Sequence, residues 1–210
     1  MDVALPIAVA VVCGYLLGSI PTGLLASRLG RGVDLREYGS GRTGFTNSLR
    51  VLGLRRSLPV LAGDLAKGLI AALLPLLYTD DPWARAAGGL AAVVGHVWPV
   101  FAGFRGGRGV LTGAGALIAL DPVAALLIVP PAVAALLLTR YMSVTSIVAC
   151  LSAAVAYVLF AAFDAHSWAY AFAAVTGGAL IVVLHKDNIR RLIAGTEPKV
   201  GRGGERRAPA

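Results

Sequence analysis

The chain alternates between long apolar stretches and short polar connections. Predominantly apolar runs cover residues 3–27, 58–78, 83–101, 110–138, 143–163 and 168–184, and charged residues, glycine or proline separate them. A helix of about 20 consecutive apolar residues is long enough to cross the hydrocarbon core of a bilayer. The pattern therefore predicts an all-α fold in which each run contributes at least one transmembrane helix.

The run at residues 110–138 is too long for a single crossing. Asp121 and Pro122 interrupt it, and proline disfavours helix at the residue before it, while a carboxylate in mid-bilayer is costly. We therefore expect the chain to turn at the outer surface there, giving spans at 110–120 and 123–138. The result is an integral membrane bundle of about seven transmembrane helices. The short span at 110–120 must tilt or act as a half-helix.

The charged residues assign the two sides of the membrane. With seven spans, every Lys and Arg except Arg85 falls on one side, and the carboxylates that fall on the other are Asp2, Asp80, Asp81, Asp121 and Asp164. Positively charged loops stay in the cytoplasm, so we expect the N-terminus outside and the C-terminus cytoplasmic. The first run has arginines after it rather than before it, which is the reverse of a cleavable signal peptide. It is therefore expected to remain as the first span, kinked by Pro21 near its inner end.

Composition agrees with a membrane protein. Hydrophobic residues make up 57% of the 210 residues and charged residues only 14%, too apolar for an ordinary soluble domain. The net charge of +8 fits membrane topology better than nucleic-acid binding, because aromatic residues are only 7% and no basic helix lies outside the connections. The two cysteines lie in apolar runs without CxxC spacing, which indicates neither a redox role nor a metal site. We expect one membrane domain over residues 1–199 and a disordered basic tail at residues 200–210.

The richest polar segment is DLREYGSGRTGFTNSLR at residues 34–50, called the glycine loop below. It combines glycines, short hydroxyls and arginines between two apolar runs. Glycines allow backbone N–H groups to converge on one concavity, and hydroxyls and guanidinium groups complete an anion site. The composition favours phosphate binding, although a flexible polar linker between two helices would have a similar composition.

Other polar segments fall on the same side of the predicted membrane. They are the turn at residues 105–108, the connection at 140–146 and the segment 185–197. A pathway across the membrane would need ionisable groups deep in the spans, and the plausible pair is Asp64 and Lys67. Because they are spaced i, i+3, we interpret them as a structural ion pair. One-sided clustering of the polar residues argues against a transporter of an anionic solute.

Six segments occur in order along nearly the whole chain: GSIPTG, YGSGRTGFTNSLRVLG, DLAKG, GHVWPVFAGFRGGRGV, TRYMSVTSI and HKDNIRRLIAGTEPKVG. In order and approximate spacing they resemble the membrane acyl-phosphate:glycerol-3-phosphate acyltransferases of bacterial phospholipid synthesis. The resemblance implies a multi-pass cell-membrane enzyme whose active site faces the cytoplasm. It would transfer a fatty acyl group from acyl phosphate to glycerol 3-phosphate, without a cofactor, to give lysophosphatidate. The sequence carries no indication of oligomeric state.

The resemblance also assigns site residues. Ser40 and His96 are the catalytic candidates, with His96 as a possible general base that competes with the leaving phosphate for the proton. Ser40 and the glycine backbone around it would bind the donor phosphate, whereas Arg50, Arg108, His185 and Asn188 would bind glycerol 3-phosphate. The full set of substrate-binding candidates is Gly39, Gly41, Arg42, Thr46, Asn47, Arg50, Arg105, Gly106, Gly107, Arg108, Ser143, His185, Asn188 and Glu197. For Glu197 we expect an indirect role, such as orienting an arginine.

Two departures from the family pattern lie in the glycine loop. Arg42 stands where the family usually has asparagine, and Phe45 where it usually has alanine. These departures leave open a substrate-shifted or catalytically silent homologue. A His-x4-Asp pair, used by many acyltransferases that take thioester donors, is absent, since the fifth residue after His96 is Phe101. We therefore expect acyl phosphate, and not acyl-CoA, to be the donor.

Overall fold

A computed structural model describes residues 4–206, and within them the chain is helical. The α-helices are α1 Ala4–Gly18, α2 Thr22–Arg31, α3 Phe45–Leu52, α4 Leu54–Leu73, α5 Pro82–Val97, α6 Val110–Leu120, α7 Pro122–Leu126, α8 Val129–Thr139, α9 Met142–Ala162, α10 Trp168–Val183 and α11 Lys186–Ile193. Short 3-10 turns lie at Leu35–Glu37, Leu74–Leu77 and Val100–Ala102. The described part of the chain forms no β-strand, only an isolated antiparallel bridge between Tyr38 and Arg206.

The first apolar run bends where proline predicted it. α1 ends at Gly18 and α2 begins at Thr22, so the break falls on the residues just before and including Pro21. The break leaves backbone carbonyls without helical partners, and Lys67 Nζ of α4 donates to the Ile20 carbonyl at 3.2 Å. A lysine from a neighbouring helix therefore satisfies part of the broken turn.

Small residues bring the long helices into close contact. Gly14 of α1 lies against the backbone of Gly88 in α5, and Gly68 of α4 lies against the backbone of Thr112 in α6. A Cβ at either glycine would overlap backbone atoms of the facing helix, so these approaches depend on the missing side chain. The pairs α1–α5 and α4–α6 form the frame around which the polar connections gather.

The long run at residues 110–138 divides at Asp121, as predicted. α6 ends at Leu120, and the Asp121 carboxylate caps α7 by accepting from the backbone N–H groups of Val123 at 2.9 Å and Ala124 at 3.0 Å. Tyr157 of α9 donates its hydroxyl to the carbonyls of Leu117 and Asp121, at 2.6 and 2.8 Å. These contacts satisfy backbone groups at the end of the short helix α6.

Arg85, the exception to the charge pattern, has a structural partner set. Its guanidinium donates to the Ala72 carbonyl at 3.3 Å, the Ala119 carbonyl at 2.6 Å and the Tyr170 hydroxyl at 2.8 Å. Ala72 and Ala119 lie in the last turns of α4 and α6. Arg85 therefore caps two helix ends, which explains a cation on a side where topology alone would not place one.

Four helical segments between residues 4 and 206 are long and apolar enough to cross a membrane. They are Ala4–Arg31, counted across its break, Leu54–Leu77, Pro122–Thr139 and Met142–Ala162. A fifth arises if α10 and α11, which meet at 54°, are counted together. The predicted all-helical fold is therefore confirmed for the described residues, whereas seven crossings with the N-terminus outside stay a prediction.

The described end of the chain, which we expected to be a disordered tail, contacts the glycine loop. The backbone N–H of Gly39 donates to the Glu205 carbonyl at 2.9 Å, and Arg206 pairs with Tyr38. Residues 204–206 therefore lie on the glycine loop, and residues 207–210 lie outside the described residues. Composition alone could not reveal this contact, because its partner is more than 160 residues away in sequence.

Candidate active site

The polar connections enclose one cavity at an end of the helical bundle. Its empty volume is about 750 Å³. The glycine loop and α3 form one side, the last turn of α5 and the first turn of α6 another, and the starts of α9 and α11 the third. Asp64 of α4 also lines it, so segments from six separate parts of the chain meet at this point, and we call this space the polar cavity.

Most of the predicted site residues line the polar cavity. They are Ser40, Arg42, Thr46, Asn47, Arg50, His96, Arg108, Ser143, His185, Asn188 and Glu197. Phe45, the other departure from the family pattern, also lies in its wall. The structure therefore gathers residues that the sequence separates by more than 150 positions.

Five predicted residues lie outside the lining. Gly39 and Gly41 donate their backbone N–H groups to the carbonyls of Glu205 and Tyr38, so these amides are not free to bind a phosphate. Gly106 and Gly107 donate theirs, at 3.2 Å, to the last carbonyls of α5. Arg105 is exposed and does not reach the cavity. For these five residues, direct substrate contact is not what the geometry favours.

Two of those glycines serve the site through packing. A Cβ on Gly107 would overlap Nε2 of His96, and a Cβ on Gly106 would overlap the His96 carbonyl oxygen. The turn after α5 therefore lies directly against the histidine and leaves no room for side chains. The glycine pair between Arg105 and Arg108 is explained by this contact rather than by an anion.

Asn47 organises the glycine loop. Its Nδ2 group lies within 3.1 Å of the carbonyls of Leu35 and Tyr38 and 2.8 Å from that of Arg42, and its Oδ1 accepts from the Ser40 N–H at 3.0 Å. The side chain is buried and its hydrogen-bonding capacity is used within the protein. Asn47 was predicted to bind substrate, and its contacts give it a positioning role instead.

The first turn of α3 presents unsatisfied donors to the polar cavity. Gly44 is the N-cap and supplies no side chain, so no side-chain hydrogen bond caps the helix. Gly44, Phe45 and Thr46 all line the cavity. The Ser40 hydroxyl, beside them, makes no hydrogen bond within residues 4–206. An uncapped helix N-terminus with a free hydroxyl is a favourable place for an anion.

Arginines give the polar cavity a strong positive charge. Arg42, Arg50 and Arg108 line it, and Arg191 lies close enough to interact with the last two. Burial, and after it the charge of the neighbouring arginines, lowers the pKa of Arg108 to about 10. Burial likewise lowers the pKa of Arg50, whose buried Nε has no hydrogen-bond partner among the described residues. A bound anion would relieve this crowding of positive charge.

Glu197 is the carboxylate of this cluster, and three side chains hold it. Its Oε1 accepts from Ser143 at 2.8 Å and Asn188 at 2.7 Å, and its Oε2 accepts from Arg191 at 2.7 Å. Burial raises the pKa of Glu197, but these hydrogen bonds outweigh burial and lower the pKa overall. The indirect role expected for Glu197 agrees with its contact to Arg191. Ser143 uses its hydroxyl on this carboxylate.

His185 presents a neutral imidazole to the polar cavity. Its Nδ1 lies 2.7 Å from the Ile181 carbonyl, which can only accept, so Nδ1 carries the proton. Burial, helped by the positive charge of Arg108, lowers the pKa of His185 to about 4. Its Nε2 is then a hydrogen-bond acceptor at neutral pH. Nearby, Oδ1 of Asn188 is buried without a partner in the described structure and is a second acceptor.

His96 has a carboxylate neighbour that the sequence analysis missed. Its Nδ1 lies 3.3 Å from Asp64 Oδ1, although the angle falls short of a well-aligned hydrogen bond. Asp64 is 1% exposed, pairs with Lys67 at 2.9 Å as predicted, and accepts from Thr22 Oγ1 at 2.6 Å. A His-x4-Asp pair lies within one segment of the chain, whereas this pair forms between α4 and α5. The available signal was a carboxylate and a histidine in neighbouring apolar runs.

A second cavity, of about 620 Å³, lies between α5, α6, α9 and α10. Glycine and apolar side chains line it throughout, and Val110 lies in the walls of both cavities. An apolar space of this kind would accept a hydrocarbon chain. In residues 4–206, no group of three or more His, Cys, Asp or Glu could hold a metal ion.

Sequence comparison places this geometry in a family. A family model described as glycerol-3-phosphate acyltransferase matches residues 8–195. The chain belongs to this family. Among glycerol-3-phosphate acyltransferases, that of Geobacillus kaustophilus is 41% identical over 199 residues, which cover 95% of this chain and 98% of the relative. That of Bacillus subtilis is 39% identical over 195 residues, which cover 92% and 97%.

Solved structures of the glycerol-3-phosphate acyltransferase family share the fold. The crystal structure of PlsY (YgiH), an integral membrane glycerol 3-phosphate acyltransferase, in its glycerol 3-phosphate form matches with a TM-score of 0.83. The match is 40% identical and covers 92% of this chain and 94% of that chain. The lysphosphatidic acid form of the same protein gives a TM-score of 0.81 at 39% identity. The predicted membrane fold is therefore confirmed at the level of an integral membrane bundle.

Proposed function

We propose that this chain transfers an acyl group from acyl phosphate to glycerol 3-phosphate in the cell membrane and releases lysophosphatidate. Acyltransfer to glycerol 3-phosphate follows from its membership of the glycerol-3-phosphate acyltransferase family. The observation that supports the donor is the arginine-rich polar cavity next to an entirely apolar one, with Val110 in the walls of both. Acyl phosphate has the two matching parts, a phosphate and a hydrocarbon chain.

We assign the donor phosphate to the first turn of α3. The uncapped N–H groups there, the free hydroxyl of Ser40 and the guanidinium of Arg42 are the available donors. Helix N-termini favour phosphate through both their free N–H groups and the helix dipole. This assignment differs from the sequence-based one, in which the glycines of the loop would bind the phosphate with their own backbone.

We assign glycerol 3-phosphate to the opposite wall. Arg50 and Arg108 supply the positive charge for its phosphate, and Arg50 Nε is a buried donor without a partner among residues 4–206. His185 Nε2 and Asn188 Oδ1 are acceptors for the glycerol hydroxyls. The charged guanidinium groups match the phosphate end of this substrate, and the neutral acceptors beside them match its hydroxyl end.

The reaction needs alignment more than a covalent intermediate. The glycerol hydroxyl oxygen attacks the carbonyl carbon of acyl phosphate, the carbon–oxygen bond to phosphate breaks, and inorganic phosphate leaves. The hydroxyl proton goes to His96 Nε2 or to the leaving phosphate. Asp64 lies beside His96 Nδ1, so a proton on Nδ1 is favoured and Nε2 is left to accept. The nearby arginines stabilise the negative charge that develops on the leaving group.

We also propose seven crossings with the polar cavity facing the cytoplasm. Arginines from two connections that the charge pattern assigns to the inside, at residues 34–50 and 105–108, line the cavity, and Arg191 of the third, at 185–197, lies close to them. The opposite connections carry Asp80, Asp81 and Asp164. Both substrates and the inorganic phosphate product would then exchange with the cytoplasm or with the bilayer.

A feature of the polar cavity, and not the missing His-x4-Asp pair, supports acyl phosphate as the donor. The absence of His-x4-Asp no longer distinguishes acyl phosphate from a thioester, because Asp64 lies next to His96 in space. What favours acyl phosphate is a second anion site, separate from the one needed for glycerol 3-phosphate. A thioester carries no phosphate at its reacting carbon and would leave that site unused.

A donor comparison tests the function. Purified protein in lipid or detergent receives labelled glycerol 3-phosphate with either acyl phosphate or acyl-CoA, and the readout is lysophosphatidate. We expect product from acyl phosphate alone. Robust product from acyl-CoA would refute the donor assignment. Absence of product from both donors would favour the silent homologue that Arg42 and Phe45 left open.

The positions of Arg42 and Phe45 favour an active enzyme. Arg42 points its charge into the polar cavity with Arg50 and Arg108, and thus adds to anion binding. Phe45 occupies the first position of α3, where the backbone N–H and not the side chain is the expected donor. Neither departure therefore removes a group that the proposed chemistry requires.

A further inference from the structure

The last described residues form a strap outside the region that the family model covers. The family match ends at residue 195. Residues 197–206, called the C-terminal strap here, continue from α11 across the polar cavity's rim to the glycine loop. The strap joins the two walls to which we assigned the two substrates, and it makes contacts at both of its ends.

One end of the strap is fixed near α9 and α11. Glu197 is buried under Ser143, Asn188 and Arg191, as described above. The Val200 N–H donates to the Arg140 carbonyl at 2.9 Å in the connection before α9. These contacts hold the strap against the wall that carries the acceptors for glycerol.

The other end of the strap lies on the glycine loop. The Gly39 N–H donates to the Glu205 carbonyl at 2.9 Å, and Arg206 Nη2 lies 3.2 Å from Glu37 Oε2. Gly204 packs on the backbone of Arg50, where an added Cβ would come within 2.5 Å of the Arg50 carbonyl oxygen. The strap therefore touches the residues on either side of the uncapped first turn of α3.

The strap does not occupy the substrate space. Of its residues, Glu197 lines the polar cavity, and residues 198–206 lie outside the lining. A segment that blocked the site would have to enter the cavity. The contacts on the back of the loop instead restrict a glycine-rich segment whose free state is flexible. They act on the geometry of the loop rather than on access to it.

We propose that the C-terminal strap is a positioning element for acyl transfer, which holds the glycine loop and Arg50 in the conformation that binds phosphate. This inference rests on the proposed function, because the readout is acyl transfer from acyl phosphate. Without the strap, the loop must be ordered at each binding event, and that cost weakens substrate binding. The chemical groups that carry out the reaction are unaffected.

Two truncations test the strap. A chain ending at Arg202 loses the Gly39–Glu205 hydrogen bond and the packing of Gly204 on Arg50, but keeps the hydrogen bond from Arg50 to the Pro198 carbonyl. A matched control ending at Arg206 keeps all three contacts. We expect the shorter chain to show a KM for acyl phosphate raised roughly fivefold to tenfold, in line with the loss of one or two hydrogen bonds and their packing. A purely structural role would lower the amount of active protein, and hence the apparent kcat, with KM unchanged.

Point variants keep the test independent of truncation. Gly204→Ala forces the strap away from Arg50, whereas Arg202→Ala is the control, because the exposed Arg202 side chain makes no hydrogen bond or ion pair among the described residues. We expect the first variant to raise KM as the truncation does, and the second to leave KM within about twofold of the wild type. Equal KM values for Gly204→Ala, the shorter chain and the wild type would overturn the proposal.

A disulfide separates positioning from gating. Tyr38 and Arg206 face each other across an antiparallel bridge, so their Cα atoms lie at a separation that a disulfide can span. With both replaced by cysteine and oxidised, the locked enzyme should keep wild-type KM and kcat, whereas a strap that must open would give an inactive enzyme rescued by reductant. That rescue would refute a positioning role. If wild-type protein itself fails with acyl phosphate, the proposed function fails instead.

Discussion

Arg105 and Arg108 lie in one turn, two glycines apart, and only one of them lines the polar cavity. Replacing Arg108 by alanine removes a partly buried guanidinium that contacts the Leu184 carbonyl at 3.1 Å and faces the site assigned to glycerol 3-phosphate. Replacing Arg105 removes an exposed side chain of the same charge. The pair therefore provides a matched control for charge, turn and membrane side.

The size of the effect follows from the lost contact. A hydrogen bond to a charged group contributes about 1.5–3 kcal/mol, which corresponds to a kcat/KM lowered roughly tenfold to 150-fold in Arg108→Ala. Arg108→Lys should recover part of this loss, because it keeps the charge without the planar fork. Arg105→Ala should stay within about twofold of the wild type.

The assay is lysophosphatidate formation by purified protein at several glycerol 3-phosphate concentrations, alongside thermal unfolding of each variant. Unfolding matters because Arg108 Nε also joins the turn to the end of α10. A variant that binds substrate poorly but unfolds like the wild type supports the assignment. Equal losses in Arg105→Ala and Arg108→Ala would refute the reasoning, since the two would then act through bulk charge alone.

Four further outcomes test other parts of the site. Ser40→Ala should lower kcat/KM roughly tenfold or more with unchanged unfolding, since its hydroxyl has no structural partner in residues 4–206; wild-type turnover would remove it from the site. Asp64→Asn should destabilise the fold by about 3–5 kcal/mol, because it leaves the charge of Lys67 buried and unpaired, and unchanged denaturation would contradict that pairing. The folded-state pKa of His185 is lowered to about 4, from an unfolded value of 6.5. Its contribution to stability is therefore present above pH 6.5 and is lost as the pH falls towards 4. The His185→Gln variant should show a flatter dependence of stability on pH in that interval. Single cysteines at Arg105 and Val123 should label from the cytoplasm and from outside, respectively, and labelling of both from one side would contradict seven crossings.

Element positions could be read from the sequence because hydropathy and proline act locally. The predicted short span and the observed α6 have the same bounds, Val110 and Leu120, since Asp121 and Pro122 end a helix wherever they stand. The bend near Pro21 followed for the same reason. The wall of the polar cavity was also largely predictable, because family motifs mark the segments that form it.

What the sequence could not supply was which groups are already occupied. In the sequence, Gly39 and Asn47 both resemble phosphate ligands. In the structure, the Gly39 N–H donates to the Glu205 carbonyl, and the Asn47 amide is hydrogen-bonded within the glycine loop. The proximity of Asp64 to His96 depends on how α4 and α5 pack. The local sequence pattern does not determine which residues lie close together in these contacts, because tertiary packing brings them together.

The brevity of α6 has a consequence for how the two substrates meet. At 1.5 Å per residue its eleven residues extend only about 16 Å, roughly half of a 30 Å hydrocarbon core. If Asp121 lies at the outer surface, as proposed, the opposite end of α6 and the polar cavity beside it lie inside the hydrocarbon core, well short of the inner membrane surface. Glycerol 3-phosphate then moves from the cytoplasm into the membrane to reach the acyl chain of the donor. The acyl chain need not be exposed to water, which would cost about 0.8 kcal/mol for each methylene group. The donor can therefore enter, and the product can leave, sideways within the plane of the bilayer.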